Sequence, residues 1–351
     1  MNRRDFIKGL AAGAALTLAG CPRREEDRRG WDLPPFTGGK TGLVADPIYL
    51  RHRSVGDHVE TPARYASIIA ALRAAGLEPR LTRLAPRAAT VGELGMCHRE
   101  GYIRTVQREV KAGRKHLSTG GTYLCARSFE VALRAAGGLF AAVDAVMQAK
   151  VRNAFCVVRP PGHHAGPGKG MGFCIFSNIA LAARYAQRRH GIRRVAIVDW
   201  DVHHGNGTQE MFWRDGSVFT FDTHQHPLFP GTGLASEVGD GAGKGTTMNC
   251  PFPAGAGRSE ILGALEDRFE DEMKRFKPEL VLISCGFDSR INDPLGKFKL
   301  TDRDYADMTR VVMRVARRHA AERVISTLEG GYNLRGIGLA AAAHVGMLLA
   351  G

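Results

Sequence analysis

Two periodicities alternate along this chain. Short runs of apolar and β-branched residues at 154–158, 194–198, 218–221, 280–284 and 324–327 read as strands buried on both faces. Between and around them, apolar positions recur every three to four residues at 62–75, 129–149, 178–190, 259–276, 302–319 and 336–349, the pattern of helices with one face on a core. This alternation predicts an α/β fold with a mainly parallel central sheet covered by helices on both faces. It starts at about residue 41 and shows no second linker and no repeat, so 41–351 reads as one domain.

In such a sheet, ligands bind beyond the C-terminal ends of the strands. The residues able to do chemistry fall there. Arg159-Pro160-Pro161-Gly162-His163-His164 follows the first predicted strand, Asp199-Trp200-Asp201-Val202-His203-His204 the second and Asp222-Thr223-His224 the third. Gly286-Phe287-Asp288, continuing to Asp293, follows the fourth, and Glu329-Gly330-Gly331-Tyr332 the fifth. Five polar loops therefore converge on one rim.

Within that rim, Asp201 and His203 stand two apart at a strand end, and Asp293 comes from a neighbouring loop. Three protein ligands leave a position open for water or substrate, the pattern of a catalytic zinc; iron, cobalt or manganese also suits two carboxylates and an imidazole. His163 and His164 stand beside this set, able to take a proton from water and return one to a leaving amine. Tyr332, between glycines and an asparagine, is a candidate donor to a developing oxyanion.

These motifs resemble the histone deacetylase and acetylpolyamine amidohydrolase superfamily, in its class II-like bacterial branch, over roughly residues 41–350. The marks are His58 to Arg64, Arg159 to Ala165, Gly172-Phe173-Cys174, Asp199 to Thr208, Phe229 to Gly233, Gly286 to Gly296 and Leu328 to Leu334, in the family's order. The resemblance implies the arginase/deacetylase-type three-layer fold. It implies zinc held by Asp201, His203 and Asp293. His164 takes the role of general base and then acid, and His163, held by Asp199, acts electrostatically. Tyr332 polarises the acyl carbonyl. Gly172 contacts the substrate amide through its backbone, and Phe173 and Phe229 flank the acyl tunnel. Asp199, with Asp222 in place of the usual serine, contributes to a structural K⁺ site. Arg64 lies near the cavity that handles released acetate. Asn206 stands where class I members carry Asp, in keeping with class II.

The implied activity is hydrolysis of acetyl or other acyl groups from amines such as acetyl-lysine. The first alternative is an acetylpolyamine amidohydrolase. Polyamine-selective eukaryotic relatives place a Glu two residues after the last zinc-binding Asp; this chain has Leu295 there. A binding protein without turnover is disfavoured because every catalytic position is filled. A manganese ureohydrolase of the arginase type is disfavoured by the tandem histidines and Tyr332.

Charge and composition enter last. The formal net charge is +14, but the arginines are scattered over polar helix faces and no RNA-binding aromatic signature interleaves them, so no nucleic-acid partner is expected. No apolar run after the N-terminus is long enough to span a bilayer. Residues 1–21 read as targeting rather than fold. Arg3-Arg4 opens a twin-arginine export signal, and Leu18-Ala19-Gly20-Cys21 resembles a lipoprotein cleavage box with Cys21 taking the lipid. Residues 22–40, rich in charge, Pro and Gly, read as a tether. The expected location is the periplasm or cell envelope, with membrane contact through that lipid alone. The remaining six cysteines include no C-x-x-C pair.

Overall fold

The computed structural model describes residues 40–351 except Val55; the export signal, Cys21 and nearly all of the tether lie outside the described residues. Eight strands form one sheet: β1 (Thr41–Val44), β2 (Leu81–Leu84), β3 (Asn153–Cys156), β4 (Val195–Asp199), β5 (Val218–Gln225), β6 (Thr247–Phe252), β7 (Leu280–Cys285) and β8 (Val324–Leu328). Their order is β2-β1-β3-β8-β7-β4-β5-β6, and every neighbouring pair is parallel.

The helices are α1 (Ala63–Ala74), α2 (Val91–Leu94), α3 (Glu100–Lys111), α4 (Ser128–Met147), α5 (Asn178–His190), α6 (Asn206–Phe212), α7 (Arg258–Gly263), α8 (Glu270–Phe276), α9 (Asp302–His319) and α10 (Leu334–Ala350). A π-helical stretch, Ala264–Phe269, joins α7 to α8. Helices α4 and α5 pack together on one face of the sheet, and α1, α9 and α10 on the other, giving three layers. The α/β class and the mainly parallel sheet expected from the sequence are what the chain adopts.

All five strands read from the apolar runs are present, in the interior of the sheet or next to its edge. Three more were not read. β2 and β6 are the edge strands, and β6 carries Pro251, which an edge tolerates because it needs no ladder donor there. β1 is only four residues, Thr-Gly-Leu-Val. The amphipathic α3 and the short α2 and α6 were also not read.

Local chemistry explains the helix ends near the site. Thr301 and Asp304 form a capping box that starts α9, and Asn333 caps α10 by accepting from the Gly336 N–H at 2.9 Å. The layers are joined by a buried histidine. His344 of α10 meets Ser326 of β8 through Nε2 at 2.8 Å and Thr309 of α9 through Nδ1 at 2.7 Å. Burial lowers its pKa to about 3, so the ring is neutral and acts as a hydrogen-bonding strut.

Candidate metal centre and acyl tunnel

Four adjacent central strands, β3, β8, β7 and β4, present their C-terminal ends to one crevice. β4 delivers Asp199 and, just beyond, Asp201 and His203. Asp201 is fully buried, and His203 nearly so. Asp201 Oδ1 lies 3.0 Å from His203 Nδ1, and its Oδ2 accepts from the Gly330 N–H at 2.7 Å. β7 delivers Asp288, whose Oδ2 lies 3.2 Å from the same His203 nitrogen. Asp201, His203 and Asp288 thus bring three ligand atoms within 4.8 Å of one another, all buried.

Asp293 was expected as the third ligand, and it is not part of that cluster. Its carboxylate accepts from four backbone N–H groups, of Leu295, Gly296, Tyr332 and Asn333. It sits close enough to Asp288 that its charge helps raise the Asp288 pKa, after burial and Asp201, to about 7. Sequence reading placed Asp288 on the rim but assigned it no role in the site. Its signal was there: it is the first carboxylate after a buried strand, three residues beyond Cys285.

The tandem histidines differ in their partners. His163 Nδ1 faces Asp199 Oδ2 at 3.0 Å, whereas His164 Nδ1 faces Asn206 Oδ1 at 2.8 Å. Burial opposes charge on both rings. For His163, Asp199 and Asp201 overcome burial and raise the pKa; for His164, burial is reinforced by His163 and His203, and the pKa falls. The loop bearing them is fastened from below by Glu329, whose Oε2 accepts from the Gly162 and His163 N–H groups at 2.7 and 3.1 Å.

The Tyr332 loop is held by Arg64 of α1. The Arg64 guanidinium stacks 4.9 Å above the Tyr332 ring, donates to the Gly331 carbonyl at 2.6 Å and also bonds the Glu329 carbonyl. Its remaining donor meets Glu60, which takes a bidentate pair from Arg159 at 2.5 and 2.6 Å. Burial works to raise the Glu60 pKa, but Arg159 and then Arg64 overcome it and hold the carboxyl at about 2.

Above these groups opens a cavity of about 390 Å³, lined by His164, His203, Gly172, Phe173, Phe229, Leu295 and Tyr332 among others. Phe173 and Tyr332 meet edge to face at 5.9 Å, and Phe229 meets His164 at 5.1 Å. The wall requires glycine at 172. Its φ is +54°, and a Cβ there would sit 2.2 Å from His164 Cδ2. Burial holds the Tyr332 phenol well above its usual pKa, so it is protonated and a donor.

Asp199 and Asp222 meet at Gly205, whose N–H donates to Asp222 at 2.8 Å. A Cβ at Gly205 would lie 2.5 Å from Asp199 and 3.1 Å from Asp222, so these buried carboxylates flank one small space of about 10 Å³. Asp222 also binds His224 at 2.7 Å.

The arrangement has known counterparts. The histone deacetylase domain family matches residues 58–348, and the twin-arginine translocation signal matches residues 1–20, marking the chain for export across a membrane. A protein of Archaeoglobus fulgidus named "Probable deacetylase" is 39% identical over 84% of this chain and 82% of its own length. The human polyamine deacetylase HDAC10 is 37% identical over 80% of this chain and 43% of its own length. The crystal structure of the HDA15 HD domain superposes with a TM-score of 0.84 at 36% identity, covering 89% of this chain and 88% of that one. The chain belongs to the histone deacetylase and acetylpolyamine amidohydrolase superfamily, a family of deacetylating hydrolases.

Proposed function

We propose that this chain is a zinc-dependent amidohydrolase that removes acetyl or other acyl groups from acylated amines outside the cytoplasm, and that Cys21 carries a lipid that anchors it. The observation that carries the catalytic reading is the convergence of His164, His203 and Tyr332 on one aromatic-walled cavity, with the buried Asp201 paired to His203 at 3.0 Å. A buried, acid-rich cluster whose ligand atoms, from Asp201, His203 and Asp288, lie within 4.8 Å of one another fits a divalent cation. Asp201, His203 and Asp293 are the proposed ligands, with Asp288 3.2 Å from His203 Nδ1. When bound, zinc supplies Lewis-acid polarisation of the acyl carbonyl and acidification of water.

The chain's own groups do the rest. His164 donates from Nδ1 to Asn206, which leaves Nε2 without a proton and free to accept one from water; the same nitrogen then returns it to the leaving amine. His163, charged and paired with Asp199, adds positive potential beside the developing oxyanion. Tyr332 donates its phenolic hydrogen to that oxygen. Phe173 and Phe229 hold an extended acyl-amine chain between them while the Gly172 backbone meets its amide. Asp199 and Asp222 would hold K⁺, whose charge would relieve the repulsion between these two buried carboxylates.

Leu295 lines the cavity. An apolar side chain there offers no partner to the distal ammonium of a polyamine, which favours acetyl-lysine peptides or other small acylamines. The deciding experiment assays zinc-loaded protein against acetyl-lysine peptides, longer acyl-lysines and acetylpolyamines, with Tyr332→Phe alongside. Wild type is expected to prefer the lysine substrates. Tyr332→Phe is expected to keep zinc and fold and lose on the order of a hundredfold to a thousandfold in kcat, with KM changing less. A kcat within about threefold of wild type removes Tyr332 from the mechanism, and a preference for acetylspermidine overturns the Leu295 argument.

A further inference from the structure

The N-terminal ends of the strands carry the opposite chemistry from the catalytic rim. Lys40, Arg80, Arg152, Arg194 and Arg323 each immediately precede a strand, at β1, β2, β3, β4 and β8. Lys40, Lys150, Arg152 and Arg323 border an open depression of about 760 Å³, whose apolar floor includes Val146, Met147 and Val151. Because the sheet is parallel throughout, this depression and the tunnel lie at opposite ends of the strands.

Its cations are under-compensated. Arg152 has one acidic partner among the described residues, Glu322, at 3.3 Å through Nη1, and Glu322 is shared with Arg317 at 3.1 Å. Arg152 Nε and Nη2 are shielded from solvent and have no hydrogen-bond partner among the described residues. Arg323 bonds the Ala320 carbonyl at 3.0 Å through Nε, and its Nη1 reaches the Met147 sulfur at 3.7 Å. Guanidinium donors withdrawn from water without acceptors carry an unmet desolvation cost. A phosphate meets it well, because its oxygens match the guanidinium fork and carry charge.

We propose that this depression is a seat for the phosphate of anionic lipid head groups, docking the domain base-first on a membrane with the acyl tunnel turned to solvent. Three observations point to a membrane as the source. The chain carries an export signal, so it meets a membrane. Lys40, on the lip of the depression, follows Cys21 by 19 positions (40 − 21), so a lipid there leaves the seat within about 60–70 Å of the surface even with the chain fully extended. The apolar floor beside the cations suits the glycerol end of a lipid as well as its phosphate. The setting rests on the lipid anchor proposed above, but the seat does not.

The test uses the full-length, zinc-loaded chain with Cys21→Ala, so that no attached lipid contributes, and vesicles of phosphatidylcholine with or without phosphatidylglycerol. Residues 1–20 are present in every arm and cancel between variants. Binding is expected only with phosphatidylglycerol. Lys150→Ala combined with Arg152→Ala is expected to weaken it about thirtyfold, the effect of removing two cations from an anionic surface. Arg323→Ala, made separately, should weaken it in the same direction. Arg104→Ala combined with Arg127→Ala removes the same charge from exposed positions elsewhere and should leave it unchanged. Turnover of a soluble substrate should be equal in all these proteins, which shows that they are folded. Equal loss in the control pair, or no binding by wild type, overturns the proposal. So does Arg152-dependent binding of inorganic phosphate, or of a single-stranded oligonucleotide, by protein that ignores the vesicles. Absence of lipid on Cys21 in cells would count against the anchor alone and leave this result standing.

Discussion

The two ends of the sheet show how one set of strands can carry two kinds of charge. At the C-terminal end the charged groups are carboxylates and imidazoles withdrawn from water. Asp201, Asp288 and Glu329 are fully buried, and each is held by backbone N–H groups or by histidine. At the N-terminal end the charged groups are mostly arginines and lysines in solvent. Arg193 exposes 78% of its side chain while pairing with Glu279 at 3.2 Å. A buried charge must be paired or bound to something, whereas an exposed one is already satisfied by water. The rim is therefore a network in which each member constrains the next, and the base, outside the depression that holds Arg152 and Arg323, is a set of nearly independent charges. Substitutions should have large, coupled effects at the rim and small, separable ones at the base.

The largest effect is expected at Asp201. Asp201→Ala removes one proposed ligand, frees the Gly330 N–H and leaves His203 facing Asp288 alone. Metal and turnover should vanish together, because a three-ligand site has no ligand to spare. Asp293→Ala should behave alike, while Asp288→Asn should keep the metal and lose only part of the rate. Zinc content measured on the purified variants decides this. A full equivalent of zinc in Asp293→Ala, with none in Asp288→Asn, would exchange the roles of the two carboxylates.

That ambiguity marks where sequence reading stops. The central strands were legible because strands buried on both faces read as continuous apolar runs, and the rim was legible because polar residues follow those runs at once. The tandem histidines, the Asp201–His203 pair, Tyr332 and the tunnel residues Gly172, Phe173, Phe229 and Leu295 all meet where the strand ends converge. Edge strands β2 and β6 lack the signal, since half their surroundings are solvent. Choosing between Asp288 and Asp293 needs side-chain direction, which no spacing encodes. The Glu60–Arg159 pair joins residues 99 apart in sequence and leaves no local trace. The base depression is spread over the starts of β1, β3 and β8, so its arginines look like any others along the chain.

The next effect in size tests coupling at the rim from behind. Glu60 is buried against Arg159 and Arg64, and Arg64 in turn holds the Tyr332 loop. Glu60→Gln leaves two buried guanidinium groups without their counter-charge and should cost about 3–5 kcal/mol of stability. The pH dependence follows from the direction of the shift. The folded pKa of about 2 lies below the ordinary 4.5, so the carboxylate's contribution is complete above about pH 4.5 and is lost as pH falls toward 2. Wild type should therefore lose stability steeply across that window, and Glu60→Gln less so. Denaturant melts at several pH values measure both, and an unchanged acid slope in the variant would show that Glu60 is not the group responsible.

The smallest effect belongs to the base. Arg193→Ala deletes a side chain that is 78% exposed and touches Glu279, while the Arg193 backbone N–H still donates to Glu279 Oε2 at 2.7 Å. Arg194 also remains, 3.3 Å from the same carboxylate. What is lost is one solvent-screened pair, which is worth less than about 1 kcal/mol and is offset by the freedom the long side chain regains. The melting temperature should move by no more than about 3 °C, kcat should not change, and added salt should narrow the difference further, because exposed pairs are screened. Scanning calorimetry at low and high salt, with turnover measured on the same protein, reads all three. A loss above about 2 kcal/mol, outside the range of exposed pairs, would mean that the base is coupled to the sheet as the rim is, and the contrast between the two ends would fail.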